Sequence, residues 1–190
     1  MRRWDKVHFQ SAIWQTGITI VLLALGYVSL YGLNATLIGT EAFNGVAAWL
    51  FLPAFVRLLG FLLIGFWSVP ALFVAALICV DLSLSPASQI IVSFFLAIGA
   101  PLALWSVSNL VGVELSLKNL SGSQILVLSV AAALGSGASY HIGLTLVGVE
   151  VHSPASFVTA AFGDAAGTWA VIYILKMLVT VVSRALLPKI

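Results

Sequence analysis

The residues able to do chemistry are few, and their surroundings make them conspicuous. Arg57 lies inside the apolar run FLPAFVRLLGFLLIGF, and the only cysteine, Cys79, closes the next run, SVPALFVAALICVD. Asp164 sits between small residues in FGDAAGTW, Phe162–Trp169. A charged side chain in hydrocarbon is costly, so a partner or a function must hold it there. Arg57 and Asp164 carry opposite charge, which admits two readings. The plainer is an ion pair locking two helices; the sharper is part of a ligand site or a conformational gate. A buried pair is weak evidence for stability by itself, because desolvation offsets much of the attraction. Cys79 also admits two readings: a lone cysteine is by default a small packing residue, and its place at a helix end beside Asp81 raises the other, a soft ligand for a metal already caged by a cofactor. It cannot hold a bare zinc ion, which takes four protein ligands or three plus water. His8, His141 and His152 are too scattered to complete such a site. Asp81, His141 and His152 are the residues that could line a cavity beside Cys79. The chain has no phosphate-binding glycine loop, no GxSxG and no HExxH, and the spacing of Ser, His and Asp supports no hydrolase.

The elements that must position these residues are set by composition. Of 190 residues, 62% are hydrophobic and 7% charged, with a mean hydropathy of +1.16. A soluble domain carries roughly 25% charged residues, so this surface is made for lipid. The apolar material runs from end to end, leaving no space for a soluble domain of even about 50 residues. No kinase, cyclase or nucleotide-binding module is therefore expected, nor a cleavable signal, since the first apolar run leads straight into more membrane. A single cysteine forms no internal disulfide.

Crossing about 30 Å of hydrocarbon takes about 20 apolar residues as a helix. Six runs are counted, the third of them short, giving an all-α bundle of six transmembrane helices as one domain over residues 1–190. They cover Ile13–Leu33, Val46–Phe66, Val69–Val80, Gln89–Val111, Gln124–Val149 and Ala155–Val182. Trp4 and Trp14 flank the first as interfacial anchors. Pro70 suits a helix start, Pro101 is expected to kink the fourth run, and DLSLSPAS reads as a turn. In the fifth run Ala131, Ala132, Gly135, Gly137 and Ala138 form a small-residue surface that another helix can approach closely. There is no internal repeat of the kind that marks inverted-repeat transporters.

Six spans put both termini on one side, with Arg2, Arg3, Lys6, Lys118, Arg184 and Lys189. The opposite loops hold Glu41, Asp81 and Glu150 and no Lys or Arg. That asymmetry places both termini in the cytoplasm. Cys79 and Asp81 then sit at the external end of the third helix, and His152 in the last external loop. His141 lies about two turns below the outer end of the fifth helix. Arg57 and Asp164 come to matching depths, ~15–18 Å below the outer surface at 1.5 Å per residue.

With six helices, no motor domain and an externally placed site, the chain resembles an S-component of the energy-coupling-factor vitamin transporters. Within that group Cys79, at the end of the third helix in LICVD, is similar to the cobalt-ligating cysteine of the BtuM-type cobalamin proteins. The resemblance implies a solitary uptake protein in the bacterial inner membrane. It would bind cobalamin base-off through Cys79 and slowly remove an upper cyanide ligand. An ATPase coupling module is the partner it offers; nucleic acid is not expected. One departure stands out: Ser11–Ser29 lacks the AxxxA face by which S-components dock the shared subunit. A second resemblance is to membrane-associated sensor (MASE-type) domains. It is carried by LPAFVRLLGFLLIG (Leu52–Gly65) and FGDAAGTWAVIYILKML (Phe162–Leu178), which look like the Pro-containing arginine helix and the Gly-Asp helix of those modules. That resemblance implies a sensory or interaction module that transports nothing.

Overall fold

A computed structural model describes residues 3–38, 49–80, 84–112, 120–149 and 154–186. Apart from short joins these residues are helical, and they include no strand. The order is α1 (Arg3–Leu37), α2 (Ala54–Ile64), α3 (Ser68–Cys79), α4 (Pro86–Val111), α5 (Gly122–Leu146) and α6 (Pro154–Leu186), with a 3-10 turn at Gly65–Trp67 between α2 and α3. By length and composition five stretches can cross a membrane: Ile13–Leu37, Ala54–Cys79, Pro86–Val111, Gly122–Leu146 and Pro154–Ser183. Large apolar side chains such as Trp14, Leu22, Leu110 and Val179 cover the outside. The chain is a multi-pass membrane protein whose outer solvent is lipid.

The second of those stretches is not one rod. Gly65 has φ +59°, a backbone region that side chains disfavour, and it ends α2. Beyond it the chain folds back. Residues eight apart in an unbroken helix are separated by about 12 Å, yet a Cβ on Gly60 would lie 3.1 Å from that of Ser68. The Ser68 hydroxyl donates to Gly65 O at 2.7 Å, fastening the bend. The break thus falls between the second and third apolar runs, as the sequence suggests. Each limb is short, about 16 Å for α2 and 18 Å for α3, against ~30 Å of hydrocarbon.

Local chemistry sets the other ends. The run expected from Val46 becomes helical only at Ala54, because Phe51–Pro53 forms a turn whose carbonyls accept from Ala54, Phe55 and Val56 N–H; residues 46–48 lie outside the described residues. Ser85 caps α4 by accepting from Ser88 N–H, with Pro86 following at the first helical position. The helix continues through Pro101 to Gly112, which stops it in the left-handed conformation. At the start of α5, Ser121 and Gln124 form a reciprocal capping box.

The small residues of α5 serve two neighbours rather than one. Gly135 faces Gly99 and Ala103 of α4, whereas Gly137 faces Phe157 and Ala161 of α6. Gly143 and Val92 meet further along the α4–α5 seam, so these helices run antiparallel. The α2–α3 hairpin wedges between α1 and this pair. One core joins Leu23, Tyr27, Val56, Ala71, Leu72, Ala75, Cys79 and Ala97 across α1 to α4. A second joins Leu58, Phe61, Ala100, Leu104, Leu128 and Ala132 across α2, α4 and α5.

Gly135→Ala tests the α4–α5 seam, because its methyl group would collide with Ala103 and sit 2.6 Å from Gly99 O. Overpacking of this kind costs about 1–3 kcal/mol, to be read as earlier unfolding when SDS displaces mild detergent. Gly17→Ala, with nothing within 4 Å of the new methyl, should unfold like the wild type.

Candidate functional site

On α1 the residues Tyr27, Tyr31 and Asn34 fall at i, i+4 and i+7, one stripe of a helix. This stripe faces the beginning of α2. The Phe51 ring meets Tyr27 and Tyr31 edge-on, each with centroids 6.3 Å apart. Asn34 Oδ1 accepts from Leu52 N–H at 3.0 Å. A backbone N–H can only donate, so this bond identifies the oxygen and leaves the amide nitrogen on the other side. That nitrogen has no partner although Asn34 is 1% exposed.

One turn into α2, Arg57 is 3% exposed. Its Nη1 donates to Asp164 Oδ2 at 2.6 Å and its Nη2 to Tyr27 Oη at 2.7 Å. The guanidinium also lies over the rings of Tyr27 and Phe51, 5.5 and 5.2 Å from their centroids. A planar, weakly hydrated cation suits such a cage, with its edge spent on hydrogen bonds and its face on rings. This is the sole ion pair among the described residues, and it joins α2 to α6 with α1 as third party. Asp164 is about 15 Å below the start of α6 at 1.5 Å per residue, the depth read from the sequence.

Glycine lets α6 come close enough for this pair. Phe51 N–H donates to Gly163 O at 3.0 Å, and Gly167 packs against the Phe51 carbonyl with no room for a Cβ. On the α5 side Ser136 sets a hydroxyl beside the carboxylate, too poorly aligned for a hydrogen bond. Trp169 Nε1 donates to Ser129 Oγ at 2.7 Å and ties α6 to α5 one turn further in.

Cys79 is the last residue of α3 and is buried. Gln89 of α4 secures the helix end, its side-chain nitrogen donating to Leu77 O and Val80 O at 2.9 and 3.0 Å. The thiol lies within electrostatic reach of Arg57 and Tyr27. So does the Tyr140 phenol of α5, which is also close to Tyr31. Five helices therefore bring Tyr27, Tyr31, Arg57, Cys79, Tyr140 and Asp164 into one neighbourhood. His141, beside Tyr140 in sequence, is held in the α5–α6 contact. Its Nδ1–H donates to Gly137 O at 2.8 Å, which leaves Nε2 to accept from Ser156 Oγ at 3.1 Å. The ring meets Phe157 edge-on. Asp81 and His152 lie outside the described residues. Among the described residues no three of His, Cys, Asp and Glu gather as a metal site would need.

The sequence drew attention to Arg57, Asp164 and Cys79 but not to Tyr27, Tyr31, Asn34, Phe51 or Tyr140. The i, i+4, i+7 stripe of polar-tipped residues on an otherwise apolar α1 was the available signal. No family model, curated protein or solved structure matches the chain.

Removing one member of the pair leaves a buried charge without its partner. Arg57→Met and Asp164→Asn should each cost about 3–5 kcal/mol, whereas the double variant should be milder than either. A double-mutant cycle of SDS unfolding measures the coupling; additive losses would show that the two charges do not depend on each other.

Proposed function

We propose that this protein takes up a small molecule from the external side of a bacterial cytoplasmic membrane, with cobalamin or a related corrinoid as the ligand. The observation that carries the reading is the position of Cys79. The thiol stands at the outer end of α3, in the neighbourhood of Arg57, Tyr27 and Tyr140 and not out in lipid. A soft thiolate there can complete the coordination of a cobalt already held by its macrocycle, and a trivalent metal favours the thiolate over the thiol. Bound there, a corrinoid cobalt would be held by the Cys79 sulfur, which would give up its proton to water and, as a soft donor, would favour slow release of a bound cyanide as the free anion with no change in the metal's oxidation state. Asp81 and His152 are the reserve of polar groups for the ligand's periphery, while His141, both of whose nitrogens are engaged by Gly137 and Ser156, serves the α5–α6 contact. Arg57 and Asp164 act structurally or as a gate.

The charge pattern fits the same reading. Five stretches are long and apolar enough to cross a membrane, and the second bends back at Gly65, so on this reading its two short limbs return the chain to the side from which it entered. Both termini would then be cytoplasmic, as the separation of Arg2, Arg3, Lys6, Lys118, Arg184 and Lys189 from Glu41, Asp81 and Glu150 along the sequence favours. An ATPase coupling module belongs to this reading as partner.

A second reading, a MASE-type sensory or interaction module, draws on a different observation. The two stretches that carry that resemblance meet directly: Arg57 of the first binds Asp164 of the second, and Gly167 packs beside Leu52 N.

Purified protein mixed with cyanocobalamin should change the corrinoid's visible spectrum slowly, and Cys79→Ser should abolish the change, since a hydroxyl is a hard, poorly acidic ligand. In a host lacking its own uptake system, the wild type should restore cobalamin-dependent growth. An unchanged spectrum together with no growth, with expression verified, would rule out corrinoid uptake and leave the sensory reading.

A further inference from the structure

Buried polar atoms left without partners are rare, and inside a membrane they are especially costly. Among the described residues there are three: Asn34 Nδ2, Ser93 Oγ and Ser136 Oγ. Counted along their helices they lie about 5, 10 and 15 Å from the ends of α1, α4 and α5 on the external side of the proposed topology. All three are in the outer half, the half that holds Cys79 and Tyr140. Ser136 borders Asp164, and Asn34 continues the Tyr27–Tyr31 stripe at the rim of the Phe51 box. The charge of this region is balanced. Both terminal nitrogens of Arg57 are engaged, one by Asp164 and one by Tyr27, so among the described residues here no free cation remains to receive an anion. What the region offers is a neutral N–H donor on Asn34, hydroxyls and aromatic faces.

Resting on the small-molecule reading above, we infer that the outer site selects an uncharged ligand that presents an amide oxygen to Asn34 Nδ2. A carboxylate in the same place would lose its hydration and gain one neutral donor with no counter-charge, an unfavourable exchange in a medium of low dielectric. An amide oxygen loses less and satisfies a donor that the fold leaves open. For a corrinoid, this selects fully amidated forms over those with free acid side chains.

Acetamide and acetate are nearly the same size and differ in charge, so they form the test pair. The full chain, 15N-labelled and reconstituted in nanodiscs, reports through the Asn34 side-chain NH2 resonances. These are assigned by their loss in Asn34→Asp, which keeps an acceptor for Leu52 N–H. Acetamide should shift them saturably, at least ~10-fold more tightly than acetate does. A response to acetate equal to that for acetamide, or no response to acetamide, overturns the inference. Acetamide binding with an untouched cyanocobalamin spectrum keeps it and removes the corrinoid. A corrinoid change with no acetamide response does the reverse.

Discussion

The Arg57–Asp164–Tyr27 contact is the constraint to which the rest of the bundle conforms. A guanidinium cannot be left in hydrocarbon, so the chain supplies a carboxylate from α6, a phenol from α1 and two aromatic faces. Each demand fixes an element. Asp164 reaches Arg57 because Gly163 and Gly167 let α6 rest on the Phe51–Leu52 backbone. Tyr27 reaches it because Gly60 lets α2 lie against Leu23 of α1. The attraction is strong only because water is excluded, and exclusion is what makes each charge dependent on the other.

Around that clasp the helices are unevenly packed. From Tyr173 to Ser183 of α6 every residue is exposed. Towards the other end of α6 the helices converge on Arg57 and Asp164, and among the described residues three buried polar atoms, on Asn34, Ser93 and Ser136, lack partners. The hairpin explains the division. Its limbs are too short to fill the whole thickness, so they concentrate packing where Arg57 and Cys79 are. Buried polarity is expensive in lipid, and the buried charges Arg57 and Asp164 are the most expensive of all, so the level at which they meet is where the bundle is most constrained.

Much of this was readable from composition and pattern. A chain this apolar is a helical membrane protein, because lipid satisfies no backbone hydrogen bond and helices satisfy their own. Run lengths located α4, α5 and α6 to within a few residues but missed the starts of α1 and α2 by ten and eight, and the gap between the runs ending at Phe66 and starting at Val69 lies beside the 3-10 turn at Gly65–Trp67 that separates α2 from α3. Opposite charges at equal depth anticipated the meeting of Arg57 and Asp164. Helix starts were less readable, as at Ala54, where Phe51–Pro53 stays non-helical in spite of its hydropathy.

Hydropathy reports the preference of a segment for oil and says nothing of direction, so it could not show that Gly60 returns to Ser68. Nor could it show which neighbour each small residue of α5 serves. The site had the same division. Arg57, Asp164 and Cys79 stand out because their chemistry is foreign to an apolar chain. Tyrosine, phenylalanine and asparagine near helix ends are ordinary there, so Tyr27, Tyr31, Asn34, Phe51 and Tyr140 become a group only when five helices bring them together. His141 shows the converse: a residue of catalytic type whose two nitrogens, once α5 and α6 pack, go to Gly137 and Ser156. Residue type is local information and can be read along the chain. Which groups meet depends on helix rotation and close approach, and those are decided by packing between segments far apart in sequence.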